Sequence, residues 1–145
     1  MDIEARLAEF VSAQDAVYDD VRHELAAGRK ETHWIWFIFP QLGGLGLSSM
    51  SQKFGLLSTD EARAYLGHSV LGPRLRECTE LMLKVAKRSV DQILGYPDDL
   101  KFRSCMTLFA AAAPEEPIFQ AALEMFFGGR QDPLTIKQLS KSQET

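Results

Sequence analysis

Hydrophobic residues recur at every third or fourth position through the first part of this chain, which is the spacing of an amphipathic helix. They run from Ile3 to Leu25, and Gly28 is the first glycine after them, so the pattern predicts one long helix that ends at Gly28. The same spacing places Gln14 on the apolar face, where an unpaired side-chain amide would cost about 1–3 kcal/mol. We therefore expect Gln14 to have a specific hydrogen-bonding partner inside the protein.

A continuous apolar run follows, from Trp34 to Phe39, and it contains both tryptophans of the chain. Such a run fits either a buried strand or a short buried helix, and periodicity does not decide between the two. Pro40 ends the run, and the glycines at 43, 44 and 46 then give the backbone the positive-φ freedom of a loop. A segment this apolar is either part of the core or a surface that contacts a ligand.

Helix start and stop signals divide the remainder of the chain into shorter helices. Ser58 and Glu61 have the spacing of a capping box, Ser89 is a second N-cap, and Asp132 before Pro133 marks another start. The signals predict helices at about 58–67, 73–88, 89–95, 97–114, 117–128 and 132–139. No repeat, linker or alternation of strands with helices occurs in the sequence. The sequence therefore predicts a compact, irregular, multi-helix all-α domain over residues 1–139, followed by a flexible tail at 140–145.

Charge and composition argue against several classes of partner. The formal net charge is −4 and the sequence pI is about 5.4, so the overall field repels phosphate backbones and no nucleic acid partner is expected. No apolar run approaches the roughly 20 residues of a membrane span, and charged residues are spread through the first turns where a secretory signal would lie. We expect a cytoplasmic protein without membrane association, and nothing in the pattern predicts an oligomeric state.

The spacing of potential metal ligands is not that of a metal site. The two cysteines form no CxxC pair and the three histidines are scattered along the chain, so we predict neither a disulfide framework nor a bound metal. The segment from Gly44 begins like a dinucleotide fingerprint, but its third glycine would fall on Ser49 and no βαβ unit surrounds it. No cofactor is therefore predicted.

Two features of the aromatic segment are candidates for ligand contact, and each has a structural alternative. A ring of Trp34 or Trp36 can stack on a planar ligand, which contributes about 1–3 kcal/mol per stacked base, or both rings can belong to the core. The turn that contains Gly44, Gly46 and Ser48 can present free amides to an anion, or it can be an ordinary tight turn.

Nearby polar side chains are candidates for acid–base or binding roles. His33 can transfer a proton, because imidazole titrates near neutral pH, or it can bond to backbone at a helix start. Asp98 and Asp99 can act as general acid and base, or they can cap the helix that they begin. Lys101 and Ser104 lie one helical turn apart and can reach a polar pocket, or they can form a solvated face.

Several segments together resemble a known bacterial family. They are 28–30 (GRK), 33–48 (HWIWFIFPQLGGLGLS), 61–68 (EARAYLGH), 71–75 (LGPRL), 97–101 (PDDLK) and 107–109 (TLF). On these motifs the chain resembles the family named domain of unknown function 1810, whose members often carry the label calpastatin, and the resemblance spans about residues 10–135. It implies a compact all-helical fold, with the run at 34–39 helical, and it implies no established reaction. Calpastatin-type inhibitors are similar to disordered repeat chains, which this sequence does not resemble.

The polar positions within these motifs are more numerous than a packing motif requires, and we expect them to converge on one pocket. They are Gln14, Lys30, His33, Gln41, Ser48, His68, Asp98, Asp99, Lys101, Ser104 and Thr107.

Two hypotheses follow about function. The first is a domain that binds a small molecule, a nucleotide-like or other phosphorylated metabolite, with a hydrolytic version in which His33, Asp98 or Asp99 transfers protons. The second is a protein-interaction or regulatory module without catalytic activity, in which the aromatic segment forms the core. For the first hypothesis the predicted ligand-binding residues are Lys30, His33, Trp34, Trp36, Gln41, Gly44, Gly46, Ser48, His68, Lys101 and Ser104.

Overall fold

The computed structural model describes residues 2–45 and 48–143, and within these ranges the chain is all-α. The helices are α1 (Ile3–Asp15), α2 (Tyr18–Ala26), α3 (Ile35–Ile38), α4 (Ser49–Lys53), α5 (Thr59–Gly67), α6 (Leu71–Lys84), α7 (Val90–Leu94), α8 (Asp98–Ala112), α9 (Pro117–Phe127) and α10 (Pro133–Gln143). An isolated parallel bridge joins Leu42 to Leu56 and fixes the loop after α3 against the segment after α4. The prediction of a compact, irregular all-helical fold is confirmed.

Helix α8 forms the centre of the core and packs against α5, α7, α9, α10 and α3. Its side chains Phe102, Cys105 and Phe109 are fully buried. Phe102 meets the ring of Phe39 edge-on, with 4.8 Å between the ring centroids, and such aromatic pairs contribute about 0.5–1.5 kcal/mol beyond their burial. The aromatic run therefore packs directly on the central helix.

The ambiguous run at 34–39 is a short helix, as the family resemblance implied. Ile35, Phe37 and Ile38 of α3 are buried, and Trp34 and Phe39 at its two ends are buried as well. Most of this run is thus core, and the helix is short because Pro40 lacks the backbone N–H that would continue it.

The prediction of one long helix from Ile3 to Gly28 is wrong. The chain leaves helical geometry at Val17, whose φ of −132° and ψ of 0° separate α1 from α2. The break lets α1 pack on α3 while α2 packs on α6. The apolar spacing is the same on both sides of the break, so periodicity alone does not reveal it. Gly28, with φ of +74°, lies just beyond the end of α2.

Gln14 has the interior partners that its position predicted. Its Nε2 donates to the backbone oxygen of Phe37 at 2.7 Å and to the hydroxyl of Tyr65 at 3.0 Å. Its Oε1 accepts from Nη1 of Arg74 at 3.3 Å. One buried amide therefore ties α1 to α3, α5 and α6.

Of the two capping motifs predicted at helix starts, one forms completely and the other forms in part. Ser89 and Gln92 form a full capping box, and Gly95 follows with positive φ. Ser58 accepts from the backbone N–H of Glu61, but the Glu61 carboxylate accepts from Leu57 N and from Arg6 instead of returning to Ser58. Only half of that predicted box therefore forms.

Helix α6 begins two residues before the predicted start at Pro73 and ends at Lys84, not near Arg88. The early start is possible because Gly72 lies against the backbone of Leu66: a Cβ added there would lie 2.0 Å from the Leu66 oxygen. A close approach of this kind depends on the tertiary arrangement and has no local sequence signal.

The last helix also departs from the predicted boundary. Helix α10 continues to Gln143, so residues 140–143, which were predicted to belong to a flexible tail, are helical. Residues 144 and 145 of that predicted tail lie outside the described residues.

Candidate functional site

An open cavity of about 340 Å³ lies between α8, the start of α10 and the loop that follows α3. We name it the α8–α10 cavity. Its lining residues are Gln41, Leu45, Ser51, Pro97, Leu100, Lys101, Arg103, Ser104, Asp132, Pro133 and Leu134. Small-molecule sites commonly have volumes of roughly 300–1,000 Å³, so this cavity has room for a small ligand.

Arg103 brings a cation to the cavity, and part of its guanidinium is unpartnered. Its Nη2 lies 3.5 Å from Oδ1 of Asp132. Its Nε is buried and has no hydrogen-bond partner among the described residues. A buried donor left in this way costs about 1–3 kcal/mol. The guanidinium therefore retains hydrogen-bonding capacity for an acceptor.

Asp132 is the carboxylate of the cavity wall, and it is already occupied with holding the start of α10. Its Oδ2 accepts from Thr135 N at 2.9 Å and from the Thr135 hydroxyl at 2.6 Å. Its own backbone N–H donates to the hydroxyl of Thr107 on α8 at 2.9 Å. These bonds fix α10 against α8 and so set the width of the cavity.

Lys101 supplies the second cation of the cavity. Its Nζ lies 4.9 Å from the ring centroid of Trp36 and 3.8 Å from Oδ1 of Asp98, the latter at the long limit of an ion pair. Trp36 does not line the cavity, but its Nε1 is buried and has no partner in the described part of the chain. Among the described residues, the buried side-chain nitrogen and oxygen atoms without a hydrogen-bond partner are Nε1 of Trp36 and Nε of Arg103. Both are donors: Arg103 lines this cavity, and Trp36 lies against Lys101, which also lines it.

A second lysine lies behind the first. Nζ of Lys30 is 2.8 Å from Oδ2 of Asp98 and 5.1 Å from the ring centroid of Trp34. The Lys30 side chain is only 6% exposed and that of Asp98 is 18% exposed. Asp98 therefore sits between two ammonium groups, a close buried one and a more distant one at the cavity.

The rim of the cavity is apolar. Leu100 is 40% exposed and Leu134 is 60% exposed, and Pro97 and Pro133 line the cavity as well. Exposed leucines are unremarkable singly, but here two of them flank cationic side chains. The cavity thus offers an apolar surface and a positive one to the same ligand.

The structure brings together part of the predicted site. Gln41, Lys101 and Ser104 line the cavity, and Trp36 lies under Lys101. Lys30 and Asp98 adjoin Lys101 through the shared carboxylate. These residues of the first hypothesis therefore lie in or next to the cavity beside the first turns of α8.

Other predicted residues lie elsewhere. His33 is exposed on the loop before α3 and does not line the cavity. Nδ1 of His68 accepts from the backbone N–H groups of Val70 and Leu71 at the start of α6, and Ser48 caps α4. These two side chains have the structural roles that polar residues commonly take at helix starts.

The glycine turn is only partly described. Gly44 is exposed with a φ of +91° and does not line the cavity, whereas Gly46 lies outside the described residues.

Trp34 does not have the position of a ligand platform, because its side chain is fully buried. Its indole Nε1 donates to Oε1 of Glu24 at 3.0 Å. The same carboxylate accepts from the backbone N–H groups of Glu31 and Thr32 and from the Thr32 hydroxyl. Burial alone would raise the pKa of Glu24, but these four donors together lower it below its ordinary value. Trp34 and Glu24 thus hold the loop that carries His33.

Asp98 and Asp99 are not arranged as an acid–base pair in the cavity. Asp98 is paired with lysines, as described above. Oδ1 of Asp99 accepts from the backbone N–H of Leu100 at 2.9 Å. Burial, with further contributions from the charges of Asp91 and Asp98, raises the pKa of Asp99. Neither carboxylate lines the cavity.

A second cavity differs from the first because its positive and negative side chains are paired with each other. Its lining includes Arg63, Arg76, Glu115 and Glu116. Arg76 makes a bidentate pair with Glu116, at 2.6 and 3.0 Å, and Arg63 donates to the backbone oxygen of Ala112 at 2.6 Å. The acceptors of these arginines are close, whereas those of Arg103 and Lys101 lie at 3.5 and 3.8 Å, so the α8–α10 cavity is the better candidate for an anionic ligand.

Sequence reasoning missed several residues of the cavity, above all Arg103 and the leucines of its rim. Arg103 lies within a run of buried positions on α8, between Phe102 and Ser104, and an arginine among core positions is a signal that could have identified it. Asp132 was recognised only as a helix cap. Leu100 and Leu134 have no local signal, because exposure depends on what packs over them.

The described residues contain neither a cluster of metal ligands nor a membrane-spanning helix. No group of three or more His, Cys, Asp or Glu side chains is placed to hold a metal ion. No described helix combines the length and the apolar character needed to cross a membrane.

The chain matches a family model and is similar to a solved structure. The model of a family described as "Protein of unknown function (DUF1810)" matches residues 4–139. The crystal structure of the conserved hypothetical protein Rv1873 from Mycobacterium tuberculosis is similar over 92% of this chain and 96% of that chain, with 51% identity and a TM-score of 0.91. No curated protein matches the chain.

Proposed function

We propose that this chain, which belongs to the DUF1810 family, binds a phosphorylated, nucleotide-like small molecule in the α8–α10 cavity. The observation that carries the proposal is the pair of cationic side chains, Lys101 and Arg103, in one cavity of a chain whose net charge is −4. Arg103 also has a buried N–H that no described residue accepts from. A local concentration of donors and positive charge in a negatively charged protein favours an anion with several acceptor oxygens.

The apolar rim supports a ligand that is more than a free anion. A phosphate next to Lys101 and Arg103 would leave the rest of the ligand beside Leu100 and Leu134. The base of a nucleoside has planar faces that such a rim can cover, and the ribose hydroxyl groups can bond with Gln41 and Ser104. Ligand sites commonly combine apolar walls with a few polar groups that fix orientation.

We propose binding and not catalysis, because the cavity is lined by cations, hydrogen-bonding groups and apolar side chains, and the predicted proton-transfer residues do not line it. His33 is exposed on a separate loop, and Asp132, the carboxylate on the wall, is held by Thr135. A hydrolytic role for Asp98 would require it to leave Lys30, at 2.8 Å. Hydrolysis therefore stays a separate hypothesis, to be tested by incubating the protein with bound ligand and analysing the products.

Isothermal titration calorimetry with three probes tests the binding proposal. The probes are AMP, adenosine and ribose 5-phosphate, which separate the contributions of phosphate and base. We expect AMP to bind more tightly than either of the others, since it alone can use both the cations and the apolar rim. If adenosine binds as tightly as AMP, the cations do not bind the phosphate and the proposal fails.

A matched pair of variants assigns the binding to the cavity. Lys101→Gln should weaken AMP binding about ten- to hundredfold, because a hydrogen bond to a charged group contributes roughly 1.5–3 kcal/mol. Lys137→Gln removes the same charge from an exposed position on α10 that does not line the cavity, and it should leave the affinity nearly unchanged. Equal losses in the two variants would indicate non-specific attraction and would contradict the proposal.

The protein-interaction hypothesis is the second candidate, and the exposure of Leu100 and Leu134 is the observation that favours it. Leu134→Ser separates the two roles. A loss of AMP affinity assigns this leucine to ligand binding, whereas unchanged affinity leaves the apolar rim available for a protein partner.

A further inference from the structure

We infer that Lys30 is a positioning residue for the ligand site: it neutralises Asp98 from inside the protein and so leaves Lys101 free to bind an anion in the cavity. The inference rests on the proposed function of the α8–α10 cavity. It assigns a role to a lysine that does not itself line the cavity.

The distances to Asp98 separate the two lysines. Lys30 Nζ is 2.8 Å from Oδ2, within hydrogen-bonding distance, while Lys101 Nζ is 3.8 Å from Oδ1. Coulomb attraction grows as the separation falls and as the surroundings become less polar. Because Lys30 is both closer and 6% exposed against 25% for Lys101, its attraction for the carboxylate is the stronger.

The position of Lys30 is fixed by its surroundings. Its backbone N–H donates to the oxygen of Ile93 in α7 at 2.7 Å. Its ammonium lies near the face of the buried Trp34 ring, at 5.1 Å from the centroid, an arrangement in which the ring attracts the cation. Asp98 is the first residue of α8, where the helix dipole favours a negative charge. The pair is therefore held in place from both sides.

The other side of Asp98 faces the group that would bind the ligand. Lys101 lies one helical turn along α8 and its ammonium is over the ring of Trp36. With Lys30 in place, Lys101 has only a weak pull toward Asp98 and can turn toward an anion. Without Lys30, the same carboxylate would have Lys101 as its nearest cation and would compete with the ligand for it.

The first test measures AMP affinity by calorimetry in the parent protein and in two variants. Lys30→Met should weaken AMP binding about two- to fivefold, the range expected when a partly exposed ion pair competes for the lysine. Lys30→Met with Asp98→Asn removes the competitor as well and should restore the affinity of the parent protein. A merely structural role for Lys30 predicts no such rescue, because the double variant lacks the ion pair altogether.

The second test needs no ligand. The rate at which an amine-acylating reagent modifies Lys101, followed by mass spectrometry and normalised to the exposed Lys137, reports whether the ammonium is held by Asp98. The rate should fall about two- to fivefold in Lys30→Met and recover in the double variant. If Lys30→Met does not fold, as judged by circular dichroism, Lys30→Gln takes its place in both tests.

The two tests separate the failure of the inference from that of the proposed function. If the parent protein does not bind AMP but the labelling rates follow the expected order, the proposed function fails with this probe and the charge arrangement stands. If Lys30→Met keeps parental labelling, or if the double variant does not recover it, the inference is overturned whatever the AMP affinity.

Discussion

Replacing Gln14 with leucine should lower the free energy of unfolding by about 2–4 kcal/mol, because it leaves buried acceptors without their donor. The substitution removes the 2.7 Å bond to the Phe37 oxygen and the 3.0 Å bond to the Tyr65 hydroxyl. Stranding the buried carbonyl costs about 1–3 kcal/mol, and loss of the second bond costs about 1 kcal/mol. The Tyr65 hydroxyl is 3.5 Å from the same carbonyl and replaces the lost donor only poorly. Arg74 keeps Asp15 as a partner, so the loss of its bond to Gln14 adds little to the destabilisation.

Urea denaturation followed by circular dichroism measures this loss, with Gln120→Leu as the matched control. Gln120 is exposed on α9, and a substitution there should change stability by less than about 0.5 kcal/mol. A double-mutant cycle with Tyr65→Phe adds a second measurement and should give a coupling energy of about 0.5–1.5 kcal/mol. If Gln14→Leu is as stable as the control, the polar link between α1, α3 and α5 does not stabilise the fold and the reasoning is refuted.

Three further predictions concern single residues. Trp34→Ala should cost about 3–5 kcal/mol of unfolding free energy as a large core truncation, measured in urea; a stable variant would contradict its core assignment. Gly72→Ala should lower the melting temperature by several degrees, since a Cβ would lie 2.0 Å from the Leu66 oxygen, whereas Gly67→Ala, with open space around the new Cβ, should not. The hydrogen bonds to Glu24 lower the pKa of its carboxyl in the folded protein despite burial. The ionised carboxylate therefore contributes fully to the free energy of unfolding above the ordinary glutamate pKa of about 4.3, and this contribution is lost as the pH falls through the lowered pKa. Melting temperatures from pH 7 to pH 3 should therefore fall less steeply in Glu24→Gln than in the parent protein, and parallel profiles would refute this.

Most helix starts could be predicted because they depend on residues within one turn of each other. Ser89 and Gln92 form the predicted box, and Asp132 caps the helix that Pro133 begins. One failed prediction involves a distant partner. Glu61 does not complete the box at Ser58, because its carboxylate pairs instead with Arg6, a residue far away in the chain.

The candidate site could be predicted only in part, for a similar reason. Lys101 and Ser104 were identified as neighbours on one helix, and they do line the cavity. Arg103 was missed, because helical spacing alone did not show that its guanidinium would lie beside Asp132. His33 was predicted for its chemistry, yet its loop is held by Glu24 away from the cavity.

The sequence by itself determined the all-helical class, most of the helix boundaries and the need for a buried partner at Gln14. Those properties follow from apolar spacing, caps and the cost of an unpaired amide, which act over a few residues. The tertiary structure decided that the chain breaks at Val17 and that Trp34 lies in the core. It also decided which polar side chains meet at one cavity, because α8, α10 and the loop after α3 come together only when the core packs. Burial and unpartnered donors are properties of that packing, and they have no counterpart in the order of residues alone.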